Sequence, residues 1–163
     1  MNDDPAIFLK PGEVMVAVSP TIITTLLGSC VAVTMFTPRL KLGGICHVLL
    51  PVCRRERDCD RCQEAGKFVP CAIGLMLKEM TALGVTRGEI EAKIFGGADM
   101  FDSEMLRNSV GRQNIEMALS TLESESIRVV TRDLGGKRGR KIVFFTGTGE
   151  VLLKRLRKTE MQP

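Results

Sequence analysis

The sequence contains no tryptophan, no tyrosine and a single histidine, and aromatic side chains make up only 4% of it. With so few flat rings there is little platform for stacking on nucleic-acid bases, and a hydrophobic core must be assembled from Val, Ile, Leu and Met. No apolar run approaches the roughly 20 residues needed to span a bilayer as a helix, so no membrane insertion is expected. The opening Met1-Asn2-Asp3-Asp4-Pro5 lacks the basic region and apolar core of a secretory signal. A cytoplasmic protein is expected, and its six cysteines should then be mostly reduced or metal-bound.

With 163 residues and 44% hydrophobic content, the chain is long enough for one domain with a sizeable core and short for two. Residues 1–163 are read as one domain. The net charge of +4 is mild but uneven, because Arg138, Arg140, Lys141, Lys154, Arg155, Arg157 and Lys158 crowd the last quarter. A solvated strand face and a basic tail account for most such runs. If the run serves a partner, an acidic protein suits it better than nucleic acid, since no nucleic-acid motif accompanies the charge.

Val14-Met15-Val16-Ala17-Val18 predicts a buried strand after a polar lead, and residues 22–27 predict a second that ends at Gly28. Residues 31–36 read as extended, with a helical turn from Cys30 as the alternative, and residues 42–50 return after the Pro38 turn. Ile73, Met76, Leu77, Met80 and Leu83 recur at helical spacing between Pro70 and Gly84. Residues 91–95 predict a strand running into Gly96-Gly97, and a second helix from about Gln113 buries Ile115, Ala118, Leu119 and Leu122. Residues 127–131, 141–146 and 150–156 end the chain as strands, the last two forming a hairpin through Gly147-Thr148-Gly149. Many strands with two helices predict an α+β fold: a layered sandwich of packed strands with outer helices.

The chemistry concentrates between Thr24 and His47. The only histidine lies seventeen positions after Cys30, which itself follows Gly28-Ser29. A thiol is mostly protonated near neutral pH and needs a neighbouring base to act as a nucleophile; His47 is the one side chain whose ordinary pKa suits that task. Two buried core side chains are the competing reading, because free cysteines bury readily and apolar runs surround both residues. If residues 31–36 and 42–50 are adjacent strands joined by the Pro38 turn, the two side chains come within reach. Cys46, next to His47 in a strand, should face the other way.

Thr24, Gly28-Ser29-Cys30 and His47-Val48-Leu49-Leu50-Pro51 closely resemble the signature of the CheD family, the chemoreceptor glutamine deamidases of bacterial and archaeal chemotaxis. The resemblance continues through Phe95-Gly96-Gly97-Ala98-Asp99-Met100-Phe101, Gly111-Arg112-Gln113-Asn114-Ile115-Glu116 and the block from Asp133 to Arg140. Several collinear blocks are far more specific than one Cys/His pair. The resemblance implies a layered α/β sandwich similar to the catalytic domain of cytotoxic necrotizing factor toxins, and a protein-glutamine glutaminase acting on methyl-accepting chemoreceptors. It makes Cys30 the nucleophile, His47 the general base and acid, and Thr24 the residue that orients the imidazole. The backbone N–H groups of Ser29 and Cys30 are the nearest donors for the oxyanion. The glycine pairs at 96–97 and 135–136 are expected to line a substrate groove or a partner surface. A non-catalytic adaptor binding receptors or a CheC-type phosphatase is the alternative, and a cysteine peptidase or transglutaminase a third.

The family pattern carries a Tyr-x-Asp-x-Ala-Ile entry into the first helix, whereas this chain has Phe68-Val69-Pro70-Cys71-Ala72-Ile73, without the aspartate. The preceding connection, residues 51–71, is rich in cysteine. Cys53, Cys59, Cys62 and Cys71 are candidate ligands of a structural zinc, with Cys59-x-x-Cys62 at zinc-knuckle spacing. A disulfide or redox pair, or unlinked thiols, are the alternatives. No cofactor is expected for the catalysis itself.

Overall fold

The structure is a computed structural model that describes residues 4–53, 63–100 and 109–161. In chain order its strands and helices are β1 (Ala6–Phe8), β2 (Val14–Ala17), β3 (Ile22–Leu27), β4 (Val31–Thr37), β5 (Leu42–Val48), α1 (Val69–Ala82), β6 (Glu91–Gly96), α2 (Val110–Ser124), β7 (Arg128–Leu134), β8 (Arg140–Phe145) and β9 (Val151–Arg155). They make two sheets, one of five strands in the order β2-β5-β4-β6-β7 and one of four in the order β1-β3-β8-β9. The expected α+β class and the β8–β9 hairpin are both present. The helical alternative at Cys30 is not adopted; β4 and β5 pair antiparallel across the Pro38 turn.

Two apolar clusters explain why β4 and β5 read as continuous hydrophobic runs. Both strands are buried along their full length, and successive side chains go to opposite faces. Val31, Val33 and Met35 of β4, with Cys46 and Val48 of β5, pack under the helices against Val69, Ile73, Met76, Ala118 and Leu122. Ala32 and Ile45 face the other way, onto Ile23, Leu27, Ile142 and Phe144 of the four-stranded sheet. The layers are therefore helices, five-stranded sheet and four-stranded sheet. Each large side chain buried this way contributes about 1.5–3 kcal/mol.

Helix α1 follows its sequence signals. Pro70 sits in the first turn, Gly84 follows the end with φ +90°, and Val69, Ala72, Ile73, Met76, Leu77 and Met80 line one buried face. Helix α2 starts three residues earlier than expected, because Ser109 caps it: the Ser109 hydroxyl accepts from the Arg112 N–H at 3.2 Å. Ile115 and Leu119 are only partly buried against the core, while Ala118 and Leu122 are fully buried. The α2 crossover joins β6 and β7 in parallel, and β7 runs to Leu134 because it matches β6 as far as Gly96. Within the polar lead, Ala6–Phe8 forms β1 by pairing in parallel with β3, an edge strand too short to announce itself by alternation.

Much of the basic run near the end of the chain is used internally. Arg140 is buried and its Nε donates to Asp133 Oδ1 at 2.8 Å, while Arg155 Nη2 donates to Asp133 Oδ2 at 2.6 Å. Asp133 lies on β7 and the arginines on β8 and β9, so this charge cluster clasps the edges of the two sheets together. Arg138 donates to the carbonyls of Leu156 and Arg155, and Lys154 pairs with Glu160.

Candidate active site

Cys30 is the half-buried residue just before β4, on a loop braced from behind by glycines. The Gly97 N–H donates to the Cys30 carbonyl at 2.8 Å, and the Ala98 N–H to the Gly28 carbonyl at 2.9 Å. Behind these, the Gly135 N–H donates to the Gly96 carbonyl and the Asp99 N–H to the Gly136 carbonyl. Gly96 has φ +105°, and a Cβ there would collide with the Cys30 carbonyl oxygen. The two glycine blocks, expected to line a groove or a partner surface, are thus seen bracing the Cys30 loop.

Ala32 and His47 are register partners, so their side chains share the face of the sheet that looks onto the four-stranded sheet. Cys30, two residues before Ala32, has the same parity and packs against the same inter-sheet cluster. Carried one residue past the Val31–Val48 pair, that parity would set Cys30 diagonal to His47, a position whose spacing in antiparallel pairs, roughly 7–8 Å, is within reach of an aromatic ring. Cys46 points the other way, into the helix-side core, where burial pushes its thiol up to about 12.

The residue beside the imidazole is Thr25, not Thr24. Strand β3 alternates, with Ile23, Thr25 and Leu27 buried and Thr24 on the opposite face. Thr25 Oγ1 lies 2.7 Å from His47 Nδ1 and 2.8 Å from the Leu9 carbonyl oxygen. A carbonyl only accepts, so the one hydroxyl proton goes to Leu9, and the hydroxyl must accept from Nδ1–H. Neutral His47 is then the Nδ1–H tautomer, and Nε2 keeps the ring's only lone pair. The backbone of His47 is held too, its N–H donating to the Glu13 carbonyl and its carbonyl accepting from the Gly12 N–H. Thr24 contributes through its backbone: its carbonyl accepts from the Leu9 N–H at 2.8 Å, which sets Leu9 in place.

Burial governs the charges. It lowers the pKa of His47 from 6.5 to about 4 and raises that of the Cys30 thiol. Near neutral pH both groups are therefore uncharged, a state that would suit proton transfer during attack rather than a standing thiolate.

The family described as CheD chemotactic sensory transduction matches residues 49–155. A Geobacter sulfurreducens protein named "Probable chemoreceptor glutamine deamidase CheD 2" is 43% identical over 96% of this chain and 93% of its own. A Maridesulfovibrio salexigens protein named "Probable chemoreceptor glutamine deamidase CheD" is 40% identical over 96% of this chain and 95% of its own. The chain belongs to the CheD family. Among solved structures, that of the Bacillus licheniformis hypothetical protein YfiH matches this CheD chain with a TM-score of 0.47 and 13% identity, over 74% of this chain and 49% of the other.

Sequence reasoning overlooked Thr25 and Asn114. The sequence does not single out Thr25, because Ile22-Ile23-Thr24-Thr25-Leu26-Leu27 gives each face of the strand one isoleucine, one threonine and one leucine. Asn114, fully buried in α2, donates from Nδ2 to the carbonyls of Ser29 at 3.1 Å and Leu49 at 3.0 Å; nothing local in the sequence marks that contact. Of the candidate zinc ligands, Cys53 and Cys71 are partly buried, whereas Cys59 and Cys62 lie outside the described residues. Among the described residues, no three His, Cys, Asp or Glu side chains are grouped to hold a metal, and no helix is long and apolar enough to cross a membrane.

Proposed function

We propose that this chain is a protein-glutamine deamidase that converts glutamines of methyl-accepting chemoreceptors to glutamate, with Cys30 as nucleophile and His47 as base and acid. The observation that carries the mechanism is the Thr25 hydroxyl between His47 Nδ1 and the Leu9 carbonyl. It leaves Nε2 as the acceptor for the thiol proton. As Cys30 Sγ bonds to the side-chain amide carbon, Nε2 takes that proton, and Nδ1–H keeps donating to Thr25. The backbone N–H groups of Ser29 and Cys30 receive the oxyanion. The C–N bond then breaks, Nε2 returns the proton to the leaving nitrogen, and ammonia departs from the thioester. Water, deprotonated by the same Nε2, cleaves the thioester to glutamate and restores the thiol.

The names of the relatives support the substrate class, and the layered architecture supports the likeness to cytotoxic necrotizing factor catalytic domains. A cytoplasmic location and a CheC-type phosphatase partner belong to the same proposal, which follows from a role in chemotaxis. This chemistry uses no cofactor. A structural zinc on Cys53, Cys59, Cys62 and Cys71 is a separate proposal that rests on the cysteine spacing.

The test is incubation of a chemoreceptor with wild type and with Cys30→Ala, followed by mass spectrometry for the roughly one-dalton gain that accompanies exchange of a side-chain amide for a carboxyl. Conversion by wild type alone is expected. Equal conversion by both would sink the proposal, and retained receptor binding without conversion by either protein would favour the adaptor.

A further inference from the structure

The β4–β5 ladder ends at the Val31–Val48 pair, one residue after Cys30 on one strand and one residue after His47 on the other. Just beyond it, the two strands are tied by a side chain. Asn114 donates one amide proton to the Ser29 carbonyl at 3.1 Å and the other to the Leu49 carbonyl at 3.0 Å. The opposite amide orientation is excluded, because it would set Oδ1 against two carbonyl oxygens. The two protons of a planar NH2 group have a fixed spread, so the acceptors they meet are held at a fixed separation.

Asn114 therefore acts as a substitute rung: past the Val31–Val48 pair the two strand ends are each held by other segments, Cys30 by Gly97 and Leu49 by Lys67, and the amide links them to one another. Its Oδ1 is buried and without a partner among the described residues, a cost that an apolar side chain would avoid only by leaving both carbonyls without this donor. Helix α2 is seated firmly enough to hold the amide in place. At Gly111 a Cβ would press on the Gly97 and Ala98 carbonyls, so the first turn of the helix lies against the segment that braces Cys30.

We propose that Asn114 is a positioning residue: through the Ser29 and Leu49 carbonyls it sets the distance and angle between the Cys30 thiol and the His47 imidazole. Its role rests on Cys30 and His47 being the reacting pair, as in the function proposed above.

The test is a double-mutant cycle read by alkylation of Cys30 with iodoacetamide at neutral pH, followed on the Cys30 peptide by mass spectrometry. This readout needs no receptor. Asn114→Leu should slow alkylation roughly tenfold or more when His47 is present, and by less than about twofold in a His47→Ala background. Equal slowing in both backgrounds would overturn the proposal, since a general loosening of the fold does not depend on His47; no slowing with His47 present would overturn it as well. If Asn114→Leu does not fold, Asn114→Asp takes its place in the cycle, with the same shape but without the paired N–H donors. A His47→Ala variant alkylated as fast as wild type would overturn the Cys30–His47 pair and Asn114's role with it. The expected cycle in a chain that deamidates no receptor would leave Asn114's role standing and remove only the substrate reading.

Discussion

His47 Nδ1 and Thr25 Oγ1 stand 2.7 Å apart although they belong to different sheets, His47 to β5 of the five-stranded sheet and Thr25 to β3 of the four-stranded one. The imidazole is thus carried by one layer and oriented by the other. Thr25→Val keeps the shape but leaves Nδ1–H and the Leu9 carbonyl unpaired, at a cost of about 1–3 kcal/mol for each buried group. Deamidation by this variant should fall roughly tenfold or more. Thr25→Ser should keep most of the activity, and Thr24→Val should change it little. Steady-state kinetics on the three variants decide the matter, and a larger loss for Thr24→Val than for Thr25→Val would refute the assignment.

Acid should act on the proposed chemistry and on stability in different pH windows. Neutral His47 is the active base, and burial lowers its pKa to about 4, so kcat/KM should hold well below pH 6.5 and fall only as pH approaches about 4. The unfolded chain takes up the same proton near 6.5. Between the two values the unfolded state binds more protons, so stability falls as pH drops from about 6.5 to about 4 and levels below. The contribution is on the order of 3 kcal/mol. Urea melts across this range should show the slope in wild type and lose that part of it in His47→Gln; an activity limb near 6.5 instead would mean an imidazole in contact with water.

Gly96 and Gly74 make a paired test of where backbone freedom matters. At Gly96, φ +105° and the Cys30 carbonyl both oppose a side chain, so Gly96→Ala should destabilise by about 1–3 kcal/mol and slow alkylation of Cys30. Gly74 lies exposed in α1 with nothing near the added methyl. Gly74→Ala should stabilise by about 0.5–1 kcal/mol. Thermal melts showing the same sign for both would contradict the packing described around Cys30.

Structural zinc, if held by Cys53, Cys59, Cys62 and Cys71, links metal affinity to folding. A strong chelator should then lower the thermal midpoint while Cys30 stays open to alkylation, and elemental analysis of protein purified under reducing conditions should find close to one zinc per chain. Zinc far below one per chain, with Cys59→Ser as stable as wild type, would rule the site out.

What the sequence by itself determined is local. Alternating and helical periodicities place most strands and both helices within a few residues, because each pattern records which face a segment buries. The Gly28-Ser29-Cys30 and His47 blocks name the reacting pair that we propose, since these residue types in this spacing are chemically distinctive. Only the tertiary structure decided what stands behind that pair. Thr25 rather than Thr24 meets His47 because β3 packs against β5 from another sheet, and which of two adjacent threonines faces inward depends on that packing. Asn114 reaches the Ser29 and Leu49 carbonyls from a helix 85 and 65 positions away, and the glycine blocks prove to be braces only where the chain brings them against Cys30. Such contacts satisfy single backbone groups across long separations, so they leave no periodic trace in the sequence.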